Sequence, residues 1–305
     1  GWVSGAPLLV DAPVLTDIPA VTVTVTAPEP TPTASRLASS LGRLFFSAQD
    51  ADGVSSIFQL MEDGTAVKIV GQAEQPAIQP GANRLAFHST RDDMLGLGGY
   101  DIDADERLRF SYSNEDQLPT WDPALQQIIF ASTRYGDGRS RLYHVWGDGV
   151  GDASDLGYGQ DPNWHPSQDL IVLKGCDEAG AKCGLWTMAP DGSNRQRLTE
   201  NANDARPVWT PSGDAVIFMN NDRHGNWELY QLDVADSTVT RLTDNPANDG
   251  LPAVSPDGSS IAFMSDRGGI WTIQVMPVNG GPAQTLYTIG DNVADWLSQG
   301  IAWER

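Results

Sequence analysis

The chain holds 305 residues and carries 40 acidic against 19 basic side chains, a formal net charge of −21. A surface this acidic repels nucleic acid and anionic lipid, which removes both as partners and leaves cations or basic proteins. The length suits one large all-β domain with an ample core, and no apolar run approaches the ~18 residues of a membrane span.

Residues 1–42 form the first segment. Pro7, Pro13, Pro19, Pro28, Pro30 and Pro32 argue against helix and favour an extended arm. Within it Val21-Thr22-Val23-Thr24-Val25-Thr26 alternates strictly, as an added edge strand does, with Val21, Val23 and Val25 on one face. The expectation is an arm that pairs with a protein partner or with a neighbouring subunit, giving a homo-oligomer that can extend into a filament.

From residue 43 to 305 a repeat takes over. A short apolar strand recurs as Leu44-Phe45-Phe46, Leu85-Ala86-Phe87, Ile128-Ile129-Phe130, Leu170-Ile171-Val172, Val216-Ile217-Phe218 and Ile261-Ala262-Phe263. A second anchor precedes most of these, at Ile78, Trp121, Trp164, Trp209, Val254 and Trp296. Two independent anchors on one period of about 43 residues predict six blades of four strands, an all-β six-bladed propeller. The first strand ends as in Arg206-Pro207-Val208-Trp209 and turns through Pro211-Ser212-Gly213-Asp214 or Pro256-Asp257-Gly258. Ring closure pairs the segment ending at Trp296 with the blade of Leu44, which leaves Ile301-Ala302-Trp303 unplaced.

The run Ser255-Pro256-Asp257-Gly258-Ser259-Ser260-Ile261-Ala262-Phe263-Met264-Ser265-Asp266-Arg267 resembles the WD40-like (PD40) repeat of TolB-type propellers, and His224-Gly225-Asn226-Trp227-Glu228-Leu229-Tyr230 is similar to the approach to the third strand. The resemblance covers about residues 43–303 and implies the propeller fold. It leaves function open, because one propeller hosts many roles.

Several constellations invite a chemical reading. Five residues before the anchors stand Asp116, Asp204, Asp249 and Asp291, four carboxylates at one channel mouth where a hard cation such as calcium could sit. Against this, Arg134, Arg223 and Arg267 end the second strands of three of the same blades, which favours structural ion pairs and leaves Asp291 as the free carboxylate. Cys176 and Cys183 are too isolated for a thiolate metal site and predict a disulfide, hence an oxidising, extracytoplasmic compartment. Gly96-Leu97-Gly98-Gly99 is expected in a hairpin loop, and the longest loops, Arg91–Gly99, Arg134–Arg141 and Cys176–Cys183, gather on one face of the disc, the expected binding face. His88, His144, His165 and His224 occupy unmatched repeat positions, and no nucleophile elbow or zinc-protease motif is present.

These readings favour a non-enzymatic, extracytoplasmic interaction or assembly propeller. The competing expectations are a metal-dependent polysaccharide lyase or a glycan-binding module that uses the channel.

Overall fold

The computed structural model describes residues 42–124, 127–149, 152–291, 293 and 295–304. The strand expected at Val21, Val23 and Val25 lies outside the described residues, as does the arm up to residue 41. In chain order the strands are β1 (Arg43–Gln49), β2 (Ser55–Leu60), β3 (Ala66–Gly71), β4 (Ala73–Ile78), β5 (Arg84–Ser89), β6 (Gly96–Asp101), β7 (Glu106–Arg109) and β8 (Gln117–Trp121). They continue as β9 (Gln127–Ser132), β10 (Arg141–Trp146), β11 (Ser154–Tyr158), β12 (Gln160–Trp164), β13 (Ile171–Gly175), β14 (Gly184–Met188), β15 (Gln196–Arg197) and β16 (Ala205–Trp209). The last are β17 (Ala215–Asn220), β18 (Glu228–Asp233), β19 (Val239–Arg241), β20 (Asp249–Val254), β21 (Ser260–Ser265), β22 (Trp271–Pro277), β23 (Gln284–Gly290) and β24 (Ile301–Glu304). No α-helix occurs among the described residues.

These strands form six antiparallel four-stranded sheets. Five are consecutive meanders, β4–β7, β8–β11, β12–β15, β16–β19 and β20–β23; the sixth has the order β24-β1-β2-β3. Residues from opposite ends of the described chain therefore share one blade. The pairs are Arg43 with Glu304, Leu44 with Trp303, Phe45 with Ala302 and Phe46 with Ile301. This join converts two edge strands into a paired one, which removes an exposed ladder edge and locks the ring.

Closure corrects the sequence reading in two places. Trp303 faces Leu44 as Trp209 faces Val216 and Trp121 faces Ile128, so Trp303 is the sixth anchor. Trp296 instead begins a short 3-10 turn, Trp296–Ser298. A linear repeat count cannot see this, because the partner strand comes from the far end of the chain. In the fourth blade Trp164 pairs with Ile171, which shifts the apolar triplet by one residue and puts Leu173 in the position of Phe87 and Phe130.

The core sits where second strands pack between blades. Phe46, Phe87, Phe130, Leu173, Phe218 and Phe263 have no solvent exposure. Burying each such side chain is worth roughly 1.5–3 kcal/mol. The glycine run departs from expectation, since Gly96-Leu97-Gly98-Gly99 lies within β6. A Cβ on Gly98 would stand 2.6 Å from the Phe87 ring, and one on Gly99 2.5 Å from Phe110. Glycine here gives the aromatic rings room against the backbone.

Candidate functional site

The inner strands β4, β8, β12, β16, β20 and β24 surround an open cavity of about 510 Å³. Its wall repeats one local pattern. In five strands a non-glycine residue with φ between 50° and 56° precedes a proline: Gln75, Leu118, Asp161, Arg206 and Leu251. Each left-handed residue coincides with a register shift against the second strand, a bulge that re-aims the chain toward the axis. The conformation costs of order 1–3 kcal/mol per residue. Bonds between blades offset part of that cost. Gln75 Oε1 accepts the Leu118 N–H at 2.9 Å, and Asp161 Oδ2 accepts the Arg206 N–H at 3.0 Å. Glycine stands at the matching place in the sixth blade, as Gly300.

Among the described residues ten prolines line this cavity. Five follow the strained residues, and five more, Pro80, Pro123, Pro166, Pro211 and Pro256, stand in the turns at the strand exits. Those turns form the rim, so the cavity opens on the short-turn face, opposite the long loops. Proline contributes a carbonyl but no N–H, which leaves a rigid, apolar wall rich in acceptors. Trp121, Trp164 and Trp209 are at most 8% exposed and pack between blades, and Trp121 Nε1 donates to Ala77 O of the preceding blade at 3.3 Å.

Two charged side chains, Asp161 and Arg206, belong to the wall, together with His165. Arg206 Nε lies 3.7 Å from Asp161 Oδ1, and Nη2 donates to Leu297 O of the closing segment. Desolvation pulls the Arg206 pKa below its ordinary value, against the favourable fields of Asp161 and Asp295. His165 is fixed by Ser167 and Gln168 N–H groups on Nδ1 and rests edge-on against Trp209 at 4.7 Å. Gly213 makes room for it: its φ is +74°, and a Cβ there would lie 2.3 Å from His165 Nε2.

The residues singled out from sequence fall elsewhere. Asp116, Asp204 and Asp249 are fully buried at the loop face, each held by an arginine of its own blade. Arg134 Nε donates to Asp116 Oδ1 at 2.9 Å, Arg223 Nη2 reaches both Asp204 oxygens at 3.0 Å, and Arg267 Nη2 reaches Asp249 at 2.8 and 2.9 Å. The bulge puts Ser265 opposite Asp249, and the arginine reaches back from the loop beyond the strand. Each guanidinium also covers the apolar anchor of its blade, Phe130, Phe218 or Phe263, at 5.3–5.9 Å. Asp291 is exposed in a bend after β23, and the residue matching Asp116 in the closing blade is Ser298. The four carboxylates are therefore not brought together, because the anchor that placed Asp291 among them was Trp296 rather than Trp303. Among the described residues no three His, Cys, Asp or Glu side chains form a metal-binding group.

Cys176 and Cys183 form a disulfide that closes the loop between β13 and β14. The histidines do not converge. His88 bonds Asp116 O, His224 bonds the Tyr230 hydroxyl, His144 sits edge-on to Trp146, and His165 alone of the four lines the cavity. Sequence reasoning missed Asp161 and Arg206. Their signal was the position before proline in each repeat, where the other blades carry only neutral residues.

Ring, bulged inner strands and channel together define a six-bladed β-propeller. The TolB beta propeller domain (PD40) matches residues 219–301. The fold is similar to that of TolB from Acinetobacter baumannii, with a TM-score of 0.70 and 14% identity over 86% of this chain and 66% of that one. This chain thus spans just under two thirds of that protein. It is also similar to a putative TolB from Agrobacterium tumefaciens, with a TM-score of 0.64 and 18% identity over 82% and 90% of the two chains. An oligogalacturonate lyase in complex with manganese shares the fold at a TM-score of 0.54 and 15% identity, over 81% and 74%. No curated protein sequence matches the chain. At these identities the structural likeness speaks for the fold.

Proposed function

We propose that this protein is a non-enzymatic interaction propeller working outside the cytoplasm, and that its partner protein engages the channel mouth on the short-turn face. The observation that carries the reading is the cavity itself. It is preformed, lined by apolar and polar groups alike, rimmed by rigid prolines and of the size of ligand-binding sites. Bonds between blades hold that strained wall in place, as expected where a surface is presented rather than moved. The disulfide supports an oxidising compartment.

The N-terminal arm, residues 1–42, adds a second contact by donating the Val21–Thr26 strand to a partner or a sister subunit. Calcium at the loop face is not part of the proposal, since each buried carboxylate there already has its arginine. The reading as a polysaccharide lyase rests on likeness of fold to the oligogalacturonate lyase.

The test is capture of envelope proteins on immobilised chain. Wild type should retain a partner that Ala77→Trp, which narrows the cavity, releases while circular dichroism still shows a folded ring. Retention of every partner by Ala77→Trp would refute the channel mouth as the contact. Size-exclusion chromatography with and without residues 1–35 tests the arm, and an unchanged oligomeric state would remove the donation.

A further inference from the structure

The channel carries a charge asymmetry that an interaction surface alone does not require. Arg206 is the one cation among the five left-handed residues of the wall, where the other blades place Gln75, Leu118, Asp161 and Leu251. Among the described residues its guanidinium makes one hydrogen bond, from Nη2 to Leu297 O, and it meets Asp161 only at 3.7 Å, beyond hydrogen-bond distance. Its side chain keeps 18% exposure, against 7% for Asp161, and it lines the cavity. A guanidinium presents five donors in a planar fork. Most of that fork is unspent in a site with restricted access to water, where an unmatched charge is costly.

We propose that the cavity is a subsite for the C-terminal carboxylate of a peptide, with Arg206 as its anchor. This rests on the channel mouth being the contact site and names what enters it. A carboxylate matches the guanidinium fork in a bidentate pair. Behind that end, an extended peptide brings N–H donors, and at the ten prolines of the wall no backbone N–H competes with them. Apolar side chains then face Leu118, Val208 and Ile301. A polyanionic sugar fits poorly: it needs many donors, and the net charge of −21 opposes each added carboxylate. A single terminal carboxylate meets one cation and little further opposition. Asp161 competes for the same guanidinium, so it weakens the subsite in the free protein.

The experiment is isothermal titration of the full chain with acetyl-Leu-Val-Leu, as the free acid and as its C-terminal amide. The acid should bind about tenfold or more tightly than the amide. Arg206→Met should erase that preference, and Arg206→Lys should retain only part of it. Asp161→Asn keeps an acceptor for the Arg206 N–H and frees the guanidinium, so it should strengthen binding of the acid but not of the amide. This gain of function keeps the test decisive even if Arg206→Met misfolds. Equal affinity for acid and amide in wild type would overturn the anchor while leaving the channel as a peptide site. No saturable binding of either up to about 10 mM would overturn the subsite; partner capture lost in Ala77→Trp would then still uphold the interaction reading. An acid preference that survives Arg206→Met in a folded protein would assign the carboxylate to another group.

Discussion

Replacing Asp204 by alanine tests what holds the loop face together. Its carboxylate is fully buried and accepts Arg223 Nη2 on both oxygens at 3.0 Å and Asn220 Nδ2 at 2.7 Å. Removing one partner of a fully buried pair costs about 3–5 kcal/mol, because the remaining charge loses its compensation. Arg223 keeps 27% side-chain exposure, so water reaches it and the cost falls to about 2–3 kcal/mol. For a ring of this size that corresponds to a melting temperature lower by about 5–10 °C. Arg223→Met alone strands the buried carboxylate and should cost at least as much. The double variant leaves no unpaired charge and should recover roughly half of the summed loss. Differential scanning calorimetry of the four proteins gives the cycle. Small, additive losses below about 0.5 kcal/mol would refute the coupling and reduce the pair to a surface contact. A calcium-dependent rise in the wild-type melting temperature that disappears in Asp204→Ala would instead restore the cation site.

Other outcomes follow from single features. Denatured, unreduced protein should show no free thiol, and reduction of the Cys176–Cys183 bond, which closes a loop of sequence separation 7, should cost about 2–3 kcal/mol by chain entropy. Two free thiols would remove both the bond and the compartment argument. Asp50 is held at about 2 from an ordinary 3.8, first by the Lys68 ammonium at 2.5 Å and then by the Val54 N–H. A depressed folded pKa stabilises above the unfolded value and loses that contribution as pH falls toward 2. Carbon-detected NMR should place its titration there, and Lys68→Met should raise the midpoint; a midpoint unmoved by Lys68→Met would show that the ammonium contributes nothing.

The fold was legible because each blade repeats its own grammar. Turn prolines and glycines, apolar triplets and a spaced aromatic anchor are local properties of the chain, and six copies of a local pattern imply a ring. The disulfide was legible for a similar reason, since two cysteines separated by a short loop have few other partners. Glycine misled in β6, where the residue signals a turn in sequence but serves here as space for Phe87 and Phe110.

Closure and the channel were decided only by the tertiary structure. Nothing local distinguishes Ile301–Glu304 as an inner strand; its identity comes from Leu44 and Phe46, more than 250 residues away in sequence. The choice between Trp296 and Trp303 followed from that pairing, and with it the separation of Asp291 from Asp116, Asp204 and Asp249. The Pro-x-Trp motif was visible in the chain, yet its left-handed bulge was not, because bonds between neighbouring blades, as from Leu118 and Arg206 N–H, help to hold that conformation. Arg206 gained its place for the same reason. A residue before proline becomes a channel wall only when six inner strands converge on one axis, and convergence is a property of the closed ring.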